Sequence, residues 1–151
     1  IYAIATGICD GFELGLNARA AMLPRALGEM SRMAVSMGAN PMTLMGLSGL
    51  GDLILTATGD LSRHRTVGLR LGRGETLEQI TAGSREVAEG IRNARSVRNM
   101  SLRHEVDMPM AREVYRILYE GKDPRQGMVD LLTRRLKDEL DPRYEAFSCE
   151  S

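Results

Sequence analysis

Across residues 17–37, Met22, Ala26, Met30, Met33 and Met37 recur at steps of three and four. That is the period of one face of a helix and not of a strand. Asn17 is the expected N-cap of this helix, and Gly38 the expected left-handed residue that ends it. Further stripes follow. Val87, Ile91, Ala94, Val97 and Leu102 share one amphipathic stretch, with Arg92, Arg95 and Arg98 on its other faces. Val114, Ile117 and Leu118 form the next, running from Pro109 to Gly121. Met128, Leu131 and Leu132 form a third behind Asp123-Pro124, a cap followed by a first-turn proline. Shorter helices are expected over 46–56, 62–71 and 76–80, and Asn40-Pro41 restarts the chain before them.

Strand signals are lacking: Trp is absent, aromatics make up 4%, and Val, Ile, Thr and Tyr do not alternate. The expected architecture is therefore all-α, with about seven or eight helices around an aliphatic, methionine-rich core. One helical domain should cover 1–136, with a polar tail over 137–151. The methionine stripe is read as core filler.

Charge narrows the function classes. Twenty basic residues cancel 20 acidic ones, which argues against a nucleic-acid partner that needs a basic face. All but Lys122 and Lys137 of the basic residues are Arg, the side chain suited to planar carboxylate and phosphate partners. No apolar run is long enough to span a membrane. Cys9 and Cys149 lie far apart with no metal-ligand spacing, so no metal is expected and a reduced cytoplasmic setting is the simplest. The chain starts at Ile1 and not at Met, which suggests a piece of something longer.

Four segments stand out from plain scaffold. Residues 3–17 carry Gly7, Gly11 and Gly15 at steps of four, lining up one bare helical face. Each glycine costs about 1 kcal/mol in a helix relative to Ala, so close approach to another helix or to a ligand must compensate. Helix packing is the preferred reading of the two. Gly49-Leu50-Gly51-Asp52 is a glycine-lined turn presenting one carboxylate, Asp52. It lacks the preceding strand and third glycine of a dinucleotide fingerprint and the Lys of a P-loop. In Thr56-Ala57-Thr58-Gly59-Asp60-Leu61-Ser62-Arg63-His64-Arg65, hydroxyls, Gly and acid precede a helix start, and basic groups follow it. Free N–H groups beside an Arg fork make a competent anion site, with Ser62 as N-cap in the plainer reading. Glu86 and Glu89, in the fourth segment, sit where acids favour a helix N-terminus without any function.

In this order, residues 3–17, the Gly49-Leu50-Gly51-Asp52 turn, Asp60-Leu61-Ser62-Arg63 and Val87-Ala88-Glu89-Gly90 resemble the C-terminal, substrate-binding domain of bacterial NAD(P)-dependent glycerol-3-phosphate dehydrogenases. The likeness covers residues 1–132; Met108-Pro109 and Val114-Tyr115-Arg116 also fit it. It implies a helical domain of the 6-phosphogluconate-dehydrogenase-like type, without its N-terminal Rossmann half. It further implies NAD or NADP as cofactor and reduction of dihydroxyacetone phosphate to sn-glycerol 3-phosphate, for phospholipid synthesis in the cytoplasm. Asp52 matches the family's substrate-binding acid, Ser62 and Arg63 its phosphate-side contacts, and Arg63, Val87 and Glu89 its cofactor contacts; His64 is a further expected substrate contact, through a ring N–H to a phosphate oxygen. The catalytic Lys belongs to a Lys-Asn pair expected just ahead of Ile1. That leaves Asp52 in a supporting role and this chain inactive alone. His64 departs from the family, which usually has Asn there. The Rossmann domain is the expected partner, and a homodimer is compatible with the likeness. Two alternatives remain open: a related helical dehydrogenase domain for another phosphorylated or hydroxy-acid substrate, and a noncatalytic helical interaction module.

Overall fold

A computed structural model describes residues 1–82 and 85–134, and the side chains of all these except 85–90. The chain runs α1 (Tyr2–Gly11), α2 (Gly15–Ser36), a 3-10 turn (Pro41–Met45), a π-type turn (Leu47–Gly51), α3 (Asp52–Thr58), α4 (Arg63–Gly72), α5 (Leu77–Thr81), α6 (Arg85–Arg103), α7 (Pro109–Tyr119) and α8 (Pro124–Thr133). No strand occurs among the described residues, and no helix there is long and apolar enough to cross a membrane. The all-α expectation holds. The tail over 137–151, with Cys149, lies outside the described residues.

Capping chemistry places most of these starts. Ser62 accepts from Arg65 N (3.3 Å), Asp123 from Gln126 N (2.9 Å) and Asn40 from Met42 N (2.9 Å). Thr76 and Gln79 form a reciprocal capping box on α5. Gly38 takes φ +84°, the left-handed conformation that stops α2.

Three expectations need correction. Asn17 caps nothing: α2 begins earlier, at Gly15 with φ +79°, and Asn17 lies inside it. Residues 46–56 do not form one helix, because glycines let the chain close a π-type turn before α3 starts at Asp52. Leu102 is exposed near the C-terminal end of α6 and adds nothing to the core. The methionine stripe is core at Met22, Ala26 and Met33, but Met37 is exposed beyond the last turn.

The core gathers around α1, of which Ala3 to Cys9 are all buried. Ile4, Ile8, Met22, Leu53, Val67, Val114 and Met128 fill one cluster beside it. Glu29 is buried with them. Its carboxylate accepts from Met110 N (2.6 Å) and Ala111 N (3.2 Å) at the start of α7, and from the Tyr2 hydroxyl (3.3 Å). Burial pushes its pKa up to about 7, against the pull of those donors. Cys9 is a buried free thiol, raised to about 11 by the same effect.

The closest packing is between α1 and α4, which cross in parallel with glycine facing backbone on both sides. A β-carbon at Gly7 would overlap the Arg65 carbonyl oxygen, and one at Gly68 that of Ile4. At Gly11 and Gly72 it would lie 2.5 Å from Leu69 O and 2.6 Å from Ile8 O. Helix packing, not a ligand, is thus what Gly7 and Gly11 are for. Gly15 takes no part, since nothing lies within 4 Å of where its β-carbon would be. The complementary glycines, Gly68 and Gly72, went unread in the sequence.

Candidate functional site

The chain leaves α3 through an extended Gly59 and re-enters a helix four residues later. Gly59 N donates to Leu55 O (2.8 Å), and Ser62 N to Gly59 O (3.2 Å), closing the turn. Gly59 has to be glycine, because a β-carbon would sit 2.6 Å from Leu55 O. This turn walls an open cleft of about 570 Å3. Leu55, Thr56 and Val67 supply its apolar side, and Ser62, Arg63 and His64 face it from the start of α4.

Three of the expected binding residues, Ser62, Arg63 and His64, therefore come together at one cleft. The first turn of α4 adds amide groups that no helical carbonyl can satisfy and the positive end of a helix dipole. Ser62 uses its oxygen as N-cap but keeps its hydroxyl proton to donate. Arg63 is exposed at the rim and has a further interaction within the chain. His64 is half-buried, and burial holds its pKa below the usual 6.5. The start of α1 lies beside the start of α4, since Ile4 packs on Gly68 and Gly7 on Arg65.

Asp52 does not line the cleft. It opens α3, exposed, its carboxylate without a hydrogen bond to another described residue, three and four positions before Leu55 and Thr56. That spacing sets its carboxylate on the same face, one turn above the cleft wall. The glycine turn before it is structural: a β-carbon at Gly49 would meet the backbone of Leu44. Val87 and Glu89 fall on the first turns of α6, and their side chains lie outside the described residues.

Arg65, two residues after Arg63, is engaged elsewhere. Its guanidinium does not complete an anion fork but points away to carboxylates: Nε donates to Asp10 Oδ2 (2.8 Å) and Nη1 to Asp60 Oδ1 (3.0 Å). Asp10 Oδ1 in turn accepts from Arg19 Nε (3.1 Å) and Nη2 (2.5 Å). Thr56 was not singled out, although its place one turn after Asp52 could have suggested it.

Among the described residues, no cluster of three or more His, Cys, Asp or Glu could hold a metal. The cleft offers hydrogen-bond donors and positive charge on one wall and aliphatic carbon on the other. Leu55 and Leu61 are 70% and 98% exposed and put apolar surface side by side at the cleft. Such a surface can take a small molecule with an anionic end, and a flat apolar group beside it.

Comparison with known proteins gives the same direction. A family model described as the C-terminus of NAD-dependent glycerol-3-phosphate dehydrogenase matches residues 1–129. The glycerol-3-phosphate dehydrogenase [NAD(P)+] of Myxococcus xanthus is 52% identical over 140 residues, 93% of this chain and 42% of its own length. That of Syntrophobacter fumaroxidans is 49% identical over 141 residues, with the same coverage. A crystal structure of glycerol-3-phosphate dehydrogenase from Coxiella burnetii superposes with a TM-score of 0.84 at 44% identity, covering 88% of this chain and 41% of that one. The chain therefore spans about two fifths of the length of the relatives it matches.

Proposed function

The chain belongs to the C-terminal domain family of NAD-dependent glycerol-3-phosphate dehydrogenases, and on that premise we propose that its cleft grips the phosphate of a three-carbon substrate. The observation that carries the reading is the convergence of Ser62, Arg63 and His64 on one cleft at the N-terminus of α4. A phosphate there meets unpaired amides, a hydroxyl donor and a guanidinium, each charged hydrogen bond worth about 1.5–3 kcal/mol. Held by that end, the substrate presents its carbonyl away from α4, and binding energy remote from the reacting carbon positions it.

The reaction is the interconversion of dihydroxyacetone phosphate and sn-glycerol 3-phosphate, run toward the alcohol for phospholipid synthesis in the cytoplasm. NAD or NADP supplies the hydride when bound. Exposed Leu55 and Leu61 beside Arg63 fit a flat ring with a phosphate nearby, and Val87 and Glu89 are further cofactor contacts. The developing alkoxide needs a proton, which suits a Lys just ahead of Ile1, where the start of α1 lies beside the start of α4. Asp52 holds that Lys charged and oriented, one turn above the cleft. The proton donor and the Rossmann domain lie outside this chain, which is inactive alone. Residues 1–136 act as the substrate-binding domain, in a protein that a homodimer would suit.

Arg63→Ala in the full-length enzyme tests this directly. KM for dihydroxyacetone phosphate should rise at least tenfold, about 1.4 kcal/mol. An unchanged KM would take Arg63 out of the phosphate role.

A further inference from the structure

The turn that faces the cleft is not held by its own hydrogen bonds alone. Arg65, two residues beyond Arg63, spans from the rim to the interior. One nitrogen reaches Asp60, which is 94% exposed on the cleft wall, and another reaches Asp10, 11% exposed on α1. The two anchors differ in strength. A pair with so exposed an acid contributes about 0–1 kcal/mol. The pair with Asp10 is shielded from solvent, and Asp10 is itself fixed by two donors from Arg19 at the start of α2. Backbone contact adds to it, since the Arg65 carbonyl lies against Gly7, where no side chain could fit. The Arg65 N–H is also the group that Ser62 caps. Arg65 therefore ties both flanks of the turn, Asp60 before it and Ser62 within it, to α1.

We propose that Asp10 is a positioning residue for the cleft: through Arg65 it sets the orientation of the Asp60–Arg63 turn, and so the geometry with which Ser62 and Arg63 meet a substrate phosphate. The inference rests on the phosphate reading of the cleft. Asp10 touches neither substrate nor cofactor and acts only through Arg65. The ion pair with Arg19 alone does not account for it, because Arg65 binds the other carboxylate oxygen and carries the connection across to α4.

The test uses the full-length enzyme. Asp10→Asn keeps the size of the side chain but removes its charge. KM for dihydroxyacetone phosphate should rise about tenfold while kcat stays within about twofold. Arg65→Lys keeps the positive charge but cannot hold two carboxylates in one planar fork, and should raise KM likewise. A purely structural role would shrink the folded fraction and lower apparent kcat at constant KM, and that result in either variant overturns the proposal. So does an unchanged KM in both, whatever the melting temperature does. Arg63→Ala, measured alongside, separates the two ideas. If it leaves KM unchanged, the phosphate reading falls. If it raises KM while Asp10→Asn and Arg65→Lys do not, only the positioning role of Asp10 falls.

Discussion

Where α1 crosses α4, backbone meets backbone across Gly7, Gly11, Gly68 and Gly72, with no side chain between. A few residues away, α3 and α4 border a cleft that leaves Leu55 and Leu61 in water. One region has no spare volume; the other has more than its neighbours in this chain can fill. The contrast shows how a small helical domain divides labour. Glycine contact makes a rigid frame that tolerates no substitution, and the frame holds open a surface whose stability is left incomplete.

If that division is real, the largest effect should come from the frame. Gly68→Ala drives a methyl group into the Ile4 carbonyl, and neither helix backbone can yield. Destabilisation of about 4 kcal/mol or more is expected in thermal or denaturant unfolding. A loss below about 1 kcal/mol would mean that the crossing is looser than its geometry. The next effect belongs to Glu29, buried between α1, α2 and α7. Its folded-state pKa of about 7 lies above the usual 4.5, so the folded state binds more protons than the unfolded one between those values. The stability it contributes is full below pH 4.5 and declines as pH rises through 7, by something on the order of 3 kcal/mol. Glu29→Gln should flatten that decline in melting temperature against pH; equal slopes would refute the burial argument. The smallest effect belongs to the open side. His64 should gain a proton only below pH 6.5, and a protonated ring adds a charged donor to the cleft. Between pH 8 and 5.5, KM should fall by a few-fold, about 1 kcal/mol or less, relative to His64→Asn. Superimposable profiles would remove His64 from the binding set.

Much of the fold was legible because its signals are local. Ser62, Asp123, Asn40 and Gly38 act within a few residues of themselves, and each sits at the helix end its chemistry predicts. Asn17 misled for the same local reason: a good capping residue was available, but Gly15 could take the positive φ that starts α2 sooner. The π-type turn was hidden since its glycines read equally well as a helix interruption or a loop. The crossing was half legible. Gly7 and Gly11 showed a bare face, but their partners Gly68 and Gly72 lie 61 positions further on. Sequence spacing carries no measure of distance in space. The site divides likewise. Ser62, Arg63 and His64 are consecutive, so one helix start brings them together, whereas Asp52 depended on the pitch of α3 and ended one turn off the cleft wall. Arg65 shared every local feature of Arg63. Asp10, remote in sequence, and Asp60 turned it the other way.

The parallel crossing has one more consequence, for the size of what the proposed site would hold. Two rods whose main chains touch cannot slide past each other, so the gap from the head of α1 to the head of α4 is a gauge of fixed length. On the reading given above, the proton donor stands at one jaw and the phosphate seat at the other. A ketone longer by a single methylene would have to buckle between them, and chain length would be judged by the scaffold before any side chain touched the carbonyl.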